Sequence, residues 1–221
     1  MDIYNILIVV SVNAIPLIFA ITLHEAAHGY VARIFGDNTA YMLGRVTLNP
    51  AKHIDPMGTI VFPLLSMLLG GIFFGWAKPV PVNFSNLRHP KADMFWVAAA
   101  GPASNLVQAL AWAAAAKAIE MSGFSSGVAQ FWFAVCVAGI SWNVVLAIFN
   151  LFPILPLDGG RIVTSLLPAR LAIPYSRTEP YGMPILIGLI LLMVAYRPLG
   201  IAFSALIRSG NQFFYALFGL Q

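Results

Sequence analysis

Two of the four histidines in this chain stand four residues apart, in His24-Glu25-Ala26-Ala27-His28. On a helix, positions i and i+4 lie one above the other, so both imidazoles can reach a single ion. Zinc suits such a pair, because it takes nitrogen ligands at about 2.0–2.1 Å in tetrahedral geometry. Glu25 is offset by one position and reaches a water beside the ion rather than the ion itself. The chemistry implied is hydrolytic: a divalent metal that activates water and a carboxylate that moves its proton. The plain alternative is a chance match whose histidines bond only to backbone. The apolar surroundings weigh against it, since ionisable groups are costly inside membrane helices and mark functional sites there.

A catalytic centre of this kind needs a third protein ligand and one open position. Asp158, in Pro153-Ile-Leu-Pro156-Leu-Asp158-Gly159-Gly160, is the candidate. Of the eight acidic residues, only Glu25 and Asp158 abut apolar segments in a position to face a bundle interior. The neighbouring prolines and glycines are expected to break the helix, so that Asp158 projects from irregular backbone. Taken alone, Asp158-Gly159 reads equally well as a simple turn. Histidine and carboxylate also suit several divalent metals, so ligand type by itself does not single out zinc.

The elements that must position these residues are membrane helices. The 221 residues are 60% hydrophobic and 9% charged, with mean hydropathy +0.84, where a soluble domain carries about a quarter charged residues. A formal charge of +4 and a pI near 9.4 need no nucleic acid to explain them, because a basic excess in a membrane protein collects in cytoplasmic loops. The single cysteine, Cys136, permits no intramolecular disulfide and reads as a small packing residue. Residues 2–20 lack the basic start and cleavage site of a signal peptide, so they are read as the beginning of the first membrane helix.

Apolar segments run over 5–35, 57–76, 94–119 and 128–152, followed by a tail with runs over 183–196 and 199–220, the last interrupted by Arg208 to Gln212. Between them, Tyr41–Leu48 has some strand character and Lys78–Asn83 reads as extended chain. His53 and His89 lie in these polar stretches and are expected at the surface. Provided that the segment 57–76 does not cross, nine basic residues, Arg33 through Arg177, flank one end of the segments, against Lys117, beside Glu120, at the other. That bias places the N-terminus outside and the candidate site toward the cytoplasm. If His24, His28 and Asp158 share a metal, the first and fourth apolar segments run in the same direction. One net crossing then separates them, supplied by 94–119, and 57–76 must enter and leave on the same side. The fold class expected is an all-α polytopic membrane protein, a bundle of about 4–6 transmembrane helices. It includes a re-entrant segment at 57–76 and short extended or β segments near the site.

His24-Glu-Ala-Ala-His28, Gly101-Pro-Ala-Ser-Asn105 and Asn150-Leu-Phe-Pro153 through Gly160 resemble, in order and in membrane context, the motifs of the site-2 proteases. The resemblance covers residues 5–165, and Asn49–Pro56 and Gly75–Asn83 are similar to a compact prokaryotic branch. It implies an intramembrane zinc metalloprotease of a prokaryotic inner membrane, with one Zn2+ per chain. His24, His28 and Asp158 would be its ligands and Glu25 the catalytic acid/base. It also implies membrane-spanning protein substrates, such as anti-sigma factors or signal-peptide remnants, and a substrate-binding role for Asn150 and Asn105. The alternative for both asparagines is helix-to-helix bonding. Residues 1–221 are expected to form a single membrane-embedded domain, with the catalytic core at 5–165 and hydrophobic segments at 182–220. Neither a PDZ-like insertion nor a CBS pair fits this length. The competing function is a non-proteolytic zinc-binding membrane protein, a transporter or an inactive relative. A substrate helix must unwind to be cut, and the extended segments are the expected places for it to add as a strand.

Overall fold

The computed structural model describes residues 3–61, 77–123 and 126–220. Eight α-helices are present among them: α1 (Ile3–Ile34), α2 (Thr39–Met42), α3 (Pro90–Met121), α4 (Gly127–Asn150), α5 (Asp158–Leu166), α6 (Ala169–Ser176), α7 (Gly182–Ala195) and α8 (Arg197–Phe218). No strand occurs among the described residues. The chain is an all-α polytopic membrane protein, and three stretches, Leu7–Ile34, Gly127–Asn150 and Ala169–Ala195, are long and apolar enough to cross a bilayer.

Helix α3 is outside that set by hydropathy, because it is rich in alanine and carries Asn105 and Gln108. Its 32 residues nonetheless extend for ~48 Å, against a hydrocarbon core of ~30 Å. Small residues let neighbouring backbones approach closely, the usual basis of helix packing in lipid. The contacts show how α3 runs. His28 meets Val97, whereas Ala20 meets Asn105 and Gln108, so α3 is antiparallel to α1. Asn105 meets Asn143, whereas Trp112 lies against Gly139, so α3 is antiparallel to α4 as well. Helices α1 and α4 are therefore parallel, as a shared metal requires.

Helix α8 crosses beside α4. Phe203 stacks on Phe152 at the site end with ring centroids 5.9 Å apart, Asn211 donates to Ser141 mid-way at 3.0 Å, and the Gly219 carbonyl accepts from Lys117 at the far end at 2.9 Å. A core of Ala109, Ala113, Ile140, Val144 and Phe214 seats it on α3 and α4.

The strand character of Tyr41–Leu48 is not realised. Asp37 accepts from the amide and hydroxyl of Thr39 at 3.0 and 2.5 Å and starts the helical turn α2, and no partner strand is available among the described residues. Residues 77–83 form neither helix nor strand: Pro79 and Pro81 fix their own φ and remove two amide donors, and Asn83 is extended. Of the segment at 57–76, Pro56–Val61 forms a π-helical turn and residues 62–76 lie outside the described residues, as does the question of re-entry.

His53 corrects its expectation. It is 2% exposed, with Nε2 bonded to the Thr47 carbonyl at 3.0 Å and its own carbonyl accepting from Lys78 at 2.9 Å. It closes the 47–53 loop and holds the start of the strap at 77–83. His89 is at the surface, its side chain 80% exposed.

Candidate metal centre

His24 and His28 point from one face of α1 toward α3 and the start of α5. Their Nε2 atoms stand 3.1 Å apart. Asp158 brings Oδ2 to 3.2 Å from His24 Nε2 and Oδ1 to 3.3 Å from His28 Nε2. All three residues lie within reach of one ion. Donors held tetrahedrally at zinc distances stand ~3.3 Å from one another, so the spacing fits.

Hydrogen bonding behind the rings decides where their protons are. His28 Nδ1 faces the Val97 carbonyl at 2.7 Å, and that oxygen can only accept. His24 Nδ1 faces Asn105 Oδ1 at 2.6 Å. The orientation of Asn105 is itself determined, since its amide nitrogen donates to the Ala20 carbonyl at 3.2 Å and to Asn143 Oδ1 at 2.9 Å. Asn143 is set in turn by donating to the Gly139 carbonyl at 2.8 Å. Both Nδ1 atoms therefore carry the ring proton, and both Nε2 lone pairs face the Asp158 carboxylate. Asp158 Oδ2 is buried and has no hydrogen-bond donor. Three buried acceptors converge with no proton between them, an arrangement a cation completes.

Gly101 makes room for this. A Cβ there would stand 2.4 Å from His28 Nε2 and 2.5 Å from His24 Cε1. Asp158 is the first residue of α5 and not part of an irregular turn. Gly159 and Gly160 lie inside that helix. They do not break it; they let the 151–157 loop fold onto its first turn, since a Cβ at Gly159 would meet the Leu151 carbonyl at 2.2 Å.

Glu25 is covered by the strap. Its Oε2 accepts from the Val80 amide at 2.7 Å. Between Pro79 and Pro81, Val80 carries the sole backbone donor. Arg45 Nη2 anchors the strap by donating to the carbonyls of Lys78 and Pro79 at 2.9 and 3.2 Å. Asp37, fully buried, accepts from the Asn83 amide at 2.7 Å. Burial alone would raise the Asp37 carboxyl, but donors from Thr39, Asn83 and Asn86 hold it below the usual carboxylate range.

Asn105 has no exposed surface, and its side chain is spent on His24, Ala20 and Asn143. Asn150, half-buried at the end of α4, donates to the Leu146 carbonyl at 3.0 Å and makes no other hydrogen bond among the described residues. Sequence reasoning passed over Asn143, although an amide inside the charge-free helix α4, two turns before Asn150, was a signal. Gly101 was noticed as the start of its motif and Val80 as part of the extended segment, but the close approach to the imidazoles and the bond to Glu25 were visible only in the fold.

The fold and these residues define an integral membrane protein with a buried two-histidine, one-carboxylate centre and an adjacent glutamate. The model of peptidase family M50 matches residues 114–194, a stretch that contains Asn150 and Asp158. Over 192 residues the chain is 42% identical to "Putative zinc metalloprotease YwhC" of Bacillus subtilis (strain 168), covering 84% of this chain and 80% of that protein. It is 34% identical over 143 residues to "Putative zinc metalloprotease Rip2" of Mycolicibacterium smegmatis, covering 64% of this chain and 52% of that relative. No solved structure matches. The chain belongs to peptidase family M50, the site-2 proteases, and is a zinc metalloprotease.

Proposed function

We propose that the protein cuts peptide bonds in or near transmembrane segments of membrane-anchored proteins. In this reading His24, His28 and Asp158 hold one zinc per chain and Glu25 moves the proton. The observation that carries it is the convergence of three proton-free acceptors inside a helical bundle, with a glutamate one residue along the same helix. When bound, zinc supplies Lewis acidity that activates water and polarises the scissile carbonyl.

The chain's own residues do the rest. Glu25 accepts the proton of the attacking water and returns it to the leaving amine. The Val80 amide holds the Glu25 carboxylate in place through a charge-assisted bond. Asn105, supported by Asn143, keeps His24 in the tautomer that presents Nε2, so its role is to position a ligand and not to bind substrate. Asn150 retains free hydrogen-bonding capacity for a substrate backbone. The Val82 amide has no partner among the described residues, which suits the strap to receive an unwound substrate as an added strand. Val82→Pro is then expected to impair cleavage while zinc stays bound, and unchanged cleavage would remove the strap from the mechanism. The basic residues gather at the His24 end, which the positive-inside rule assigns to the cytoplasm, with the N-terminus outside. Residues 1–221 act as one membrane-embedded domain.

The deciding experiment compares zinc content and cleavage of a model transmembrane substrate in detergent for the parent and Glu25→Gln. Stoichiometric zinc in both, with cleavage reduced by about 10²–10⁴-fold in the variant, is expected. Equal cleavage by both would expose a contaminating protease, and a well-folded parent without zinc would overturn the site.

A further inference from the structure

Helix α8 is not among the three stretches apolar enough to cross a bilayer by hydropathy, yet it packs along α4 within the bundle and carries a charge that the metal centre does not use. Arg208 lies one turn from Asn211, which bonds Ser141 near the middle of α4, and Gly210 packs against Val144 on the same helix. Arg208 is therefore near mid-depth in the bundle. It is exposed, and so are Ser204 and Gln212, one helical turn before and after it. Spaced by four, the three residues form a single polar stripe down one flank of α8. None of the three side chains has a hydrogen-bond or ionic partner among the described residues.

A helix with a polar flank can lie flat in the headgroup region. The contacts of α8 exclude that, because they run from Phe152 at one end of α4, past Ser141, to Lys117 at the other end of α3. The stripe stands along the bundle, facing away from it. Arginine inside a membrane almost always meets a counter-charge, a carbonyl or a water-filled cavity.

Among the described residues no acidic side chain supplies the counter-charge. No acidic residue occurs in α4, α7 or α8, nor in residues 62–76. The acids of α1 and α3 are Glu25, engaged by Val80, and Asp93 and Glu120, which lie at the ends of α3. A second copy is a poor fit as well. In a two-fold arrangement within the membrane it would bring the same depth of α8, and so a second arginine, to the stripe.

We propose that the Ser204–Arg208–Gln212 flank of α8 is a docking face for a transmembrane helix of another protein that carries an aspartate or glutamate near its middle. The guanidinium pairs with the carboxylate through two parallel bonds, and Ser204 and Gln212 add hydrogen bonds between the helices. The inference does not depend on the proteolytic reading, since the face is separate from the metal centre.

The test uses the full chain, donor-labelled, in phosphatidylcholine vesicles with acceptor-labelled leucine-based transmembrane peptides of about 20 residues. Their central residue is Glu, Leu or Lys, and energy transfer reports association. The Glu peptide is expected to bind the parent about tenfold more tightly than the Leu peptide. Arg208→Leu should abolish that preference, and Arg208→Glu should transfer it to the Lys peptide. The gain by Arg208→Glu guards against a variant that merely misfolds, and zinc content should equal that of the parent in both variants. Equal binding of Glu and Leu peptides by the parent would overturn the proposal, with the arginine then reaching toward the headgroups. Self-association of the parent that Arg208→Leu removes, without discrimination among peptides, would overturn it in favour of a second copy.

Discussion

The metal centre and the outer flank of α8 are both polar regions in apolar surroundings, and they are incomplete in opposite senses. At the centre, every supporting group is bonded within the chain: His28 to Val97, His24 to Asn105, Asn105 to Asn143, Asn143 to Gly139. What remains is a surplus of acceptors, two imidazole nitrogens and a carboxylate, for which the missing member is a cation. On α8 the surplus is the Arg208 guanidinium, which only donates and is cationic, and the missing member is an anion. A buried or lipid-facing polar group without a partner is expensive. The sign of what is left over therefore tells what class of ligand each region takes.

The comparison breaks most visibly if the surplus of acceptors is reduced. His28→Ala removes one of the three donors and is expected to lower zinc affinity by at least about 100-fold and to abolish hydrolysis. Metal content after dialysis against a weak chelator reads this directly, and full zinc in His28→Ala would mean that the centre is misassigned. Gly101→Ala tests the cradle without touching a ligand. Its Cβ would overlap both imidazoles, at 2.4 Å from His28 Nε2, and zinc affinity should fall about 10–100-fold. Metal titration followed by a competing chromophoric chelator would resolve the change. Asn105→Ala leaves the metal ligands in place and releases the His24 tautomer. A loss of about tenfold in zinc affinity is expected, near the lower end of such supporting contacts, and it should be smaller than that of Gly101→Ala. On the other side of the comparison, Arg208→Leu should leave zinc content and hydrolysis of a peptide substrate at parental levels. A drop in zinc there would show that the two regions are coupled.

The smallest effect concerns the loop that follows α1. Asp37 is fully buried, with its carboxyl held below the usual range by the donors around it. A depressed folded-state value adds stability above the ordinary carboxylate pKa of about 3.9 and loses it as pH falls through the folded value. Thermal unfolding in detergent should thus show stability declining on the acid side, and Asp37→Asn should flatten that decline. At neutral pH the substitution is expected to cost about 1.5–3 kcal/mol, the scale of hydrogen bonds to a charged acceptor. An unchanged acid profile would mean that Asp37 carries no such load.

Much of the site was legible before any coordinates. The spacing of His24 and His28 is a local property, because four residues on a helix determine which side chains share a face. The membrane character is likewise set by composition, and the parallel course of α1 and α4 followed from requiring Asp158 to reach the same depth as the histidines. The helix-breaking role given to Gly159 and Gly160 was mistaken because a glycine's use depends on what approaches it, here the Leu151 carbonyl. The same holds for Gly101. Strand character at Tyr41–Leu48 yielded to Asp37, whose bonds to Thr39 favour a turn. His53 looked like a loop residue until the strap at Lys78 closed over it.

By itself the sequence determined that His24 and His28 share one helix face and that the chain's solvent is lipid, since those rest on short-range period and composition, and it named Asp158 as the candidate third ligand. The tertiary structure alone decided the state of each donor and the direction of α8. The protons of His24 and His28 depend on Asn105 and Val97, 81 and 69 residues away, and Glu25 is held by an amide 55 residues on. Those pairings arise only when helices pack, because the acceptors that select a tautomer and the walls that exclude a Cβ belong to other segments of the chain.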